Sequence, residues 1–205
     1  MSGKPVKSLA HRTLRLGEGH AVEVSVVPAS KGVQAHYAID TAALPVPDRR
    51  LSCDTVDVLV TEYMVQLLFA QKSPVGGGFL ALLIVQMSSD SVHQFLRTLE
   101  PLEDGIVALE NGKLPKGSVS KIDEKPEQAA VVTASMILAG YSGSDGCLDF
   151  YYMSPFSMRS INLGNKISVE PVVRVNLPTP LLVAMWRKLK DLAKTLPSIN
   201  GEVTS

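Results

Sequence analysis

The sequence predicts an α+β fold in which one strand–strand–helix unit occurs twice, forming an antiparallel sheet with helices packed on one face, plus an N-terminal β-hairpin. Three observations lead there. Apolar and polar residues alternate at period two in several short stretches, the mark of half-buried strands. Apolar residues recur at helical spacing after Val92 and again after Leu182. The order strand, loop, strand, helix appears in both halves, with fixed spacing between matching residues.

Composition sets the frame. The 205 residues hold 45% hydrophobic and 20% charged side chains, an ordinary globular balance that can bury one compact domain without a staple. Lys plus Arg and Asp plus Glu number 20 each. That balance argues against a nucleic-acid binder, which carries a net positive field, and leaves little repulsion to oppose self-association. Cys53 and Cys147 are the two cysteines, outside any Cys-x-x-Cys spacing, and read as reduced thiols. The N-terminus has no apolar core of a secretory signal, and the run Phe79–Val85 is too short to span a bilayer. The expectation is a cytoplasmic protein with no membrane association.

Residues 1–13 read as a flexible tail and residues 14–50 as a hairpin with its connector. Ala21–Val27 and Val33–Ile39 alternate on either side of Ala29-Ser-Lys-Gly32, a hairpin pattern. Thr41–Arg50, with two prolines and Asp48-Arg49-Arg50, reads as connecting chain.

The first repeat covers 51–110. Val56, Val58 and Val60 share one phase and Tyr63, Val65, Leu67 and Phe69 the other, so the strand breaks at a bulge or tight bend near Thr61-Glu62. A helix over Glu62–Ala70 is the alternative reading of the second run. Pro74 and Gly76-Gly-Gly78 make a loop. Phe79–Met87 is apolar on both faces and reads as a central strand. Ser88-Ser-Asp-Ser91 supplies capping side chains for a helix with Val92, Phe95, Leu96 and Leu99 on its buried side. Residues 111–128 are a linker rich in Lys, Glu, Pro, Ser and Gly.

The second repeat covers 129–197, followed by a tail, 198–205. Ala129–Gly140 is extended, Ser142–Gly146 turns, and Cys147–Met153 alternates again. Val169–Leu177 forms another strand. Thr179-Pro180 then opens a helix, a hydroxyl at the N-cap and proline at N1, with Leu182, Met185, Trp186, Leu189, Ala193 and Leu196 inward.

Register turns this likeness into a correspondence. Leu67, Phe69, Ser73 and Pro74 match Leu148, Phe150, Ser154 and Pro155 at one offset (150 − 69 = 81). Val85, Met87, Val92, Leu96, Arg97 and Leu99 match Val175, Leu177, Leu182, Trp186, Arg187 and Leu189 at another (175 − 85 = 90). The change of offset places an insertion after Ser154-Pro155.

The stretch Asp149-Phe-Tyr-Tyr-Met-Ser-Pro155, followed by Val172-Val-Arg-Val-Asn-Leu-Pro178 and a helix, resembles a small bacterial family of unknown function. That family runs as a strand ending in Asp-Phe, an Arg-centred strand ending near proline, then an amphipathic helix. Asp149, Phe150 and Arg174 fit it, whereas the first half has Leu68 and Ile84 at the polar positions. The resemblance covers about half of the chain and implies the architecture, with no activity attached.

Catalytic and ligand signatures fail on inspection. Gly140-Tyr-Ser-Gly-Ser144 lacks the last glycine of a nucleophile elbow and leads to a strand, not a helix. Gly76-Gly-Gly78 lacks the Lys-Ser/Thr of a phosphate loop. His11, His20, His36 and His93 never reach metal-ligand spacing. Strand alternation points Asp57 and Asp149 away from the apolar face, toward solvent. No cofactor is expected.

Two surfaces remain. The inserted loop carries Phe156, Met158, Ile161 and Leu163 around Arg159, residue types enriched at interfaces. Arg187, Lys190 and Lys194, with Lys188 beside them, form a basic line late on the final helix, where cations oppose its dipole. The sequence therefore predicts a non-catalytic interaction or assembly protein, with a protein partner, self-association or both. One alternative is a peptide or small-ligand module with a cleft between the repeats lined by Tyr63, Phe69, Phe150 and Tyr152. The other is a hydrolase-type enzyme uniting distant groups such as His36, Ser142 and Asp149.

Overall fold

The computed structural model describes residues 10–16, 20–29, 32–39, 44–73, 78–99, 128–154 and 169–196. The chain divides into two compact units where one domain was expected. The first holds Met1–Pro45 and Met153–Glu170, the second Val46–Tyr152 and Pro171–Ser205.

The described part of the first unit is a three-stranded antiparallel sheet in the order β1-β2-β3. Its strands are β1 (Ala10–Leu16), β2 (His20–Ala29) and β3 (Gly32–Ile39). β1 is the departure from expectation, since it begins inside the presumed tail. Its basic composition disguised it, but Ala10 to Leu16 pair residue by residue with Val26 to His20.

The second unit is α+β, mostly strand, with two four-stranded sheets and two described helices. One sheet has the order β5 (Thr55–Val60), β6 (Val65–Lys72), β7 (Phe79–Met87), β8 (Ala130–Thr133). The other has the order β9 (Met136–Ser142), β10 (Asp145–Tyr152), β11 (Glu170–Pro178), β4 (Arg50–Ser52). A single antiparallel sheet was expected. Instead each sheet ends in a parallel pair, β7 with β8 and β11 with β4. Each half thus contributes four strands and a helix, and its short leading strand crosses into the sheet of the other half.

The offsets seen in the sequence run through this pairing. Val56 faces Phe69 and Ile137 faces Phe150, both shifted by 81 positions (137 − 56 = 81). Leu51 faces Val175 and Val132 faces Val85. The Cys53 N–H donates to the Asn176 carbonyl at 3.0 Å, and the Ala134 N–H to the Gln86 carbonyl at 3.0 Å. The next residues repeat the match, Asp54 N–H donating to Ala70 at 3.0 Å and Ser135 N–H to Tyr151 at 2.9 Å. Between β4 and β5, and between β8 and β9, the chain changes sheet within two residues. That is why the extended run Ala129–Gly140 is broken at Ala134-Ser135, a step no turn residue announces.

Helix α1 (Ser89–Leu99) is capped as expected, the Ser88 hydroxyl accepting from the Ser91 N–H at 3.2 Å. Helix α2 (Thr179–Ala193) starts one residue earlier than the Thr-Pro signal implied. Pro178 occupies its N-cap, without a side-chain cap bond. Thr179 is employed elsewhere. Its hydroxyl donates to the Gly143 carbonyl and its N–H to the Ser144 carbonyl, both at 2.8 Å, docking the β9–β10 turn on the helix start. Gly146 permits this approach, because a Cβ there would meet the Leu177 carbonyl at 3.2 Å and Leu182 at 3.3 Å. The helices do not share one face of a joint sheet. They pack on each other, α1 also against β9, and α2 against β5 and β10.

Both inner sheet faces and both helices feed one core that includes Val85, Phe95, Val175 and Met185. At its centre Phe69 and Phe150, equivalent in the two halves, meet edge to face with centroids 5.8 Å apart and planes at 67°. Each ring is buried, and burial of such a side chain stabilises by about 1.5–3 kcal/mol. Replacing Phe69 or Phe150 with alanine is expected to cost about 3–5 kcal/mol each in urea unfolding. A double-mutant cycle should show coupling of about 0.5–1.5 kcal/mol between the rings. Strictly additive losses would mean that the two halves do not share this contact.

Candidate functional site

Paired strand residues place their side chains on the same face, so a row can be read across each sheet. On the outer face of the first sheet one row runs Asp57, Leu68, Ile84, Val131. The equivalent row of the second sheet runs Leu138, Asp149, Arg174, Arg50, in which Asp149 and Arg174 stand where Leu68 and Ile84 stand in the first. Positions that are aliphatic in one half are charged in the other.

The charged row is tightly organised. Asp149 Oδ1 accepts from Arg174 Nε at 2.6 Å and Oδ2 from Nη2 at 2.6 Å, a two-pronged pair between adjacent strands. This contact holds the Arg174 guanidinium above its ordinary range, against the opposing effect of burial. Burial first, then the Asp149 charge, pushes the Tyr151 phenol up as well. Arg50 is exposed at the end of the row, beside Arg174, and no described carboxylate forms an ion pair with it.

Both aspartates were expected to face solvent, and both are buried. Alternation did point them off the main core, but the outer faces are themselves shielded. Leu68, Ala70, Ala81, Ile84 and Ala129 form a second buried cluster there, and Tyr151 is buried beside Asp149. Each aspartate therefore has a cation. Asp57 Oδ1 accepts from Lys188 Nζ at 2.9 Å and from the Val58 N–H at 2.8 Å.

The basic line on α2 is largely occupied within the molecule. Lys190 Nζ lies 5.0 Å from the centroid of the Trp186 ring, and Lys194 Nζ donates to Asp191 at 2.7 Å. That hydrogen bond, with the Lys194 charge, lowers the Asp191 pKa, although the pair is solvent-exposed and contributes little stability. Arg187 is exposed on the same helix. Phe156, Met158, Arg159, Ile161 and Leu163 lie outside the described residues.

Of the residues named for a cleft, Phe69 and Phe150 meet in the core, and of those named for an enzyme, Ser142 and Asp149 stand apart on one sheet. Phe69 and Phe150 fill the interior they were expected to line, while Tyr63 is 77% exposed. Gly143 adopts φ +61° in a tight turn, the conformation glycine serves best, and Ser142 pairs with Asp145 in the hairpin that contains it. Asp149 pairs with Leu138, so Ser142 sits four residues along β9 from its level, roughly 13 Å at the usual strand rise. His36 belongs to β3 of the first unit. Among the described residues, no group of three or more His, Cys, Asp or Glu is placed to hold a metal ion, and no helix is long and apolar enough to cross a membrane.

Exposed apolar side chains gather at the β5–β6 turn, where Leu59, Val60 and Tyr63 lie close in sequence. The turn is closed by Thr61, whose N–H donates to the Met64 carbonyl at 2.9 Å. Its counterpart is the β9–β10 turn, which is docked on α2. The sequence places a bend near Thr61-Glu62, where the turn lies, but assigns Tyr63 to the strand that follows and does not reveal the exposed apolar tip. Among the described residues, two short edge strands are also exposed, β4 at Arg50 and Ser52 and β8 at Val131 and Thr133.

No family model matches the chain, and no curated protein matches it.

The Asp149–Arg174 pair can be tested against its aliphatic counterpart. Arg174→Ile alone is expected to cost about 1.5–3 kcal/mol, because it strands a buried carboxylate. The triple change Asp149→Leu, Tyr151→Phe, Arg174→Ile should return to within about 1 kcal/mol of the parent in urea unfolding. A triple variant no better than the single would show that this row cannot be apolar here.

Cys53 offers a pH test. Burial, then the neighbouring Asp54 charge, pushes its thiol from 9.0 up to about 12. Folding therefore favours the protonated thiol. This contribution is complete below pH 9.0 and disappears as pH rises toward about 12. The stability advantage of the parent over Cys53→Ala should shrink across that window, as read from urea midpoints. A constant difference would contradict it.

Proposed function

We propose that this chain is a non-catalytic interaction or assembly protein that binds a protein partner or a second copy of itself through its second unit. The observation that carries the reading is the β5–β6 tip. Leu59, Val60 and Tyr63 are 41%, 46% and 77% exposed, while the corresponding turn of the other half is held against α2. Large apolar side chains on a rigid hairpin tip cost solvation in the free protein, and a partner that covers them recovers it. The ionic groups support the same reading. Asp57, Asp149 and Asp191 are each engaged by a cation, an arrangement that fixes structure more readily than it moves protons. The correspondence between halves fits a duplicated unit whose copies have diverged, one tip turned inward and the other left free.

The test is Val60→Thr combined with Tyr63→Ser, changes that keep strand propensity at Val60 and leave the core alone. Self-association measured by sedimentation equilibrium, or capture of a partner identified by co-purification from native cells, should weaken by at least about tenfold, which is 1.4 kcal/mol. The thermal midpoint should stay near that of the parent. Unchanged assembly and unchanged capture would remove the tip from the proposal.

A further inference from the structure

The β4 edge combines free backbone groups with an uncompensated charge. Arg49 accepts from the Arg174 N–H at 2.9 Å, and the Cys53 N–H donates to Asn176 at 3.0 Å, so the odd-numbered residues of this short strand turn toward β11. The N–H and C=O of Arg50 and Ser52 consequently point outward, since successive strand residues alternate in direction. Among the described residues β4 is the last strand of its sheet and pairs with β11 alone. Arg50 and Ser52 are both exposed.

The side chains give this edge a sign. Arg50 stands in register with Arg174 on the neighbouring strand, and like charges placed directly opposite destabilise a sheet. Asp149 satisfies Arg174 through both oxygens and has Tyr151 beside it. Nothing comparable serves Arg50 among the described residues. The equivalent edge strand, β8, has Val131 at the position of Arg50 and no charged residue at all. One edge is therefore cationic and the other neutral, on otherwise matching frameworks.

From this we infer that β4 receives an extended acidic segment of a protein partner, which adds as a strand to the Arg50–Ser52 edge and places a carboxylate on Arg50. This rests on the proposed interaction role and names the chemistry of the partner. Backbone pairing supplies the docking and the carboxylate supplies the choice, the division of labour general to strand addition. A basic segment would bring a third like charge to the Arg50–Arg174 pair, and a neutral one would gain nothing over β8.

The full chain labelled with nitrogen-15 would be titrated with a short, end-capped peptide alternating glutamate and valine. Its lysine–valine counterpart and a glutamate–valine version N-methylated along one edge serve as controls. The acidic peptide should shift the Arg50 and Ser52 amide signals, bind more weakly as salt rises, and lose at least about tenfold in affinity with Arg50→Glu. Arg50→Lys should keep part of the binding, and both variants should unfold near the parent's midpoint. Neither control peptide should bind at β4. The inference fails if the acidic peptide leaves those amides unmoved, shifts Val131 and Thr133 instead, or binds Arg50→Glu as well as the parent. Capture of the native partner separates the two levels. A partner lost by the Val60→Thr, Tyr63→Ser variant but kept by Arg50→Glu sinks the acidic edge and leaves the interaction role standing; a partner kept by both removes the edge and the tip alike, and a parent chain that neither self-associates nor captures a partner sinks the role.

Discussion

The second unit depends on an exchange of edge strands. β4 and β8 each leave the half to which they belong in sequence and complete the sheet of the other. The exchange requires the backbone to cross between sheets within two residues, at Cys53-Asp54 and at Ala134-Ser135. Those crossings are fixed by hydrogen bonds of matched geometry and by burial of Cys53 and Ala134. A half deprived of its foreign strand would expose the open side of β7 or β11, a row of unpaired amide and carbonyl groups. Neither sheet is complete within one half. The meeting of Phe69 with Phe150 follows from the same arrangement, because a shared interior brings equivalent positions together.

Within that frame the halves have been used differently. The inner faces stay apolar in both, since both line one core. The outer faces differ, and one row shows how far. Where one half has Leu68 and Ile84 the other has Asp149 and Arg174, with strand order and register alike. A two-pronged ion pair can replace an aliphatic pair at such a site because its own hydrogen bonds offset the cost of removing charge from water. Such a replacement adds little stability. What it changes is the character of the face and of the edge beside it, turning Val131 in one half into Arg50 in the other.

Much of this framework was legible in the sequence, for identifiable reasons. β7 was readable from end to end because Phe79–Met87 is apolar at every position but Gln86, between a glycine run and a serine-rich cap. The constant offsets were readable because core positions tolerate few exchanges, so Phe69 and Phe150 keep their places. The parallel pairings were not, since Arg50 and Arg174 are distant in sequence and no local pattern announces a partner. The burial of Asp57 and Asp149 was missed because alternation distinguishes two faces of a strand without saying whether the second is also covered. Of the candidate surfaces, the basic helix line was visible and turned out to be engaged with Trp186, Asp191 and Asp57. The β5–β6 tip and the β4 edge were hidden, because exposure is a property of the assembled fold.

The contrast between the two hairpin tips sharpens the functional argument. In the second half, Ser142–Asp145 is small and polar, and a glycine at φ +61° lets the turn lie against the start of α2. The corresponding turn of the first half, Thr61–Met64, carries the exposed Tyr63, with exposed Leu59 and Val60 just before it where the second half has Gly140 and Tyr141, and Ser88 caps α1 with its own hydroxyl. A helix that supplies its own cap does not need the turn. The tip is then free of a structural duty, yet it bears larger and more apolar side chains than its docked counterpart. The stability of the free chain gives little reason for that choice, since the exposed part of such side chains adds little to it; the proposed contact with a second surface would supply one.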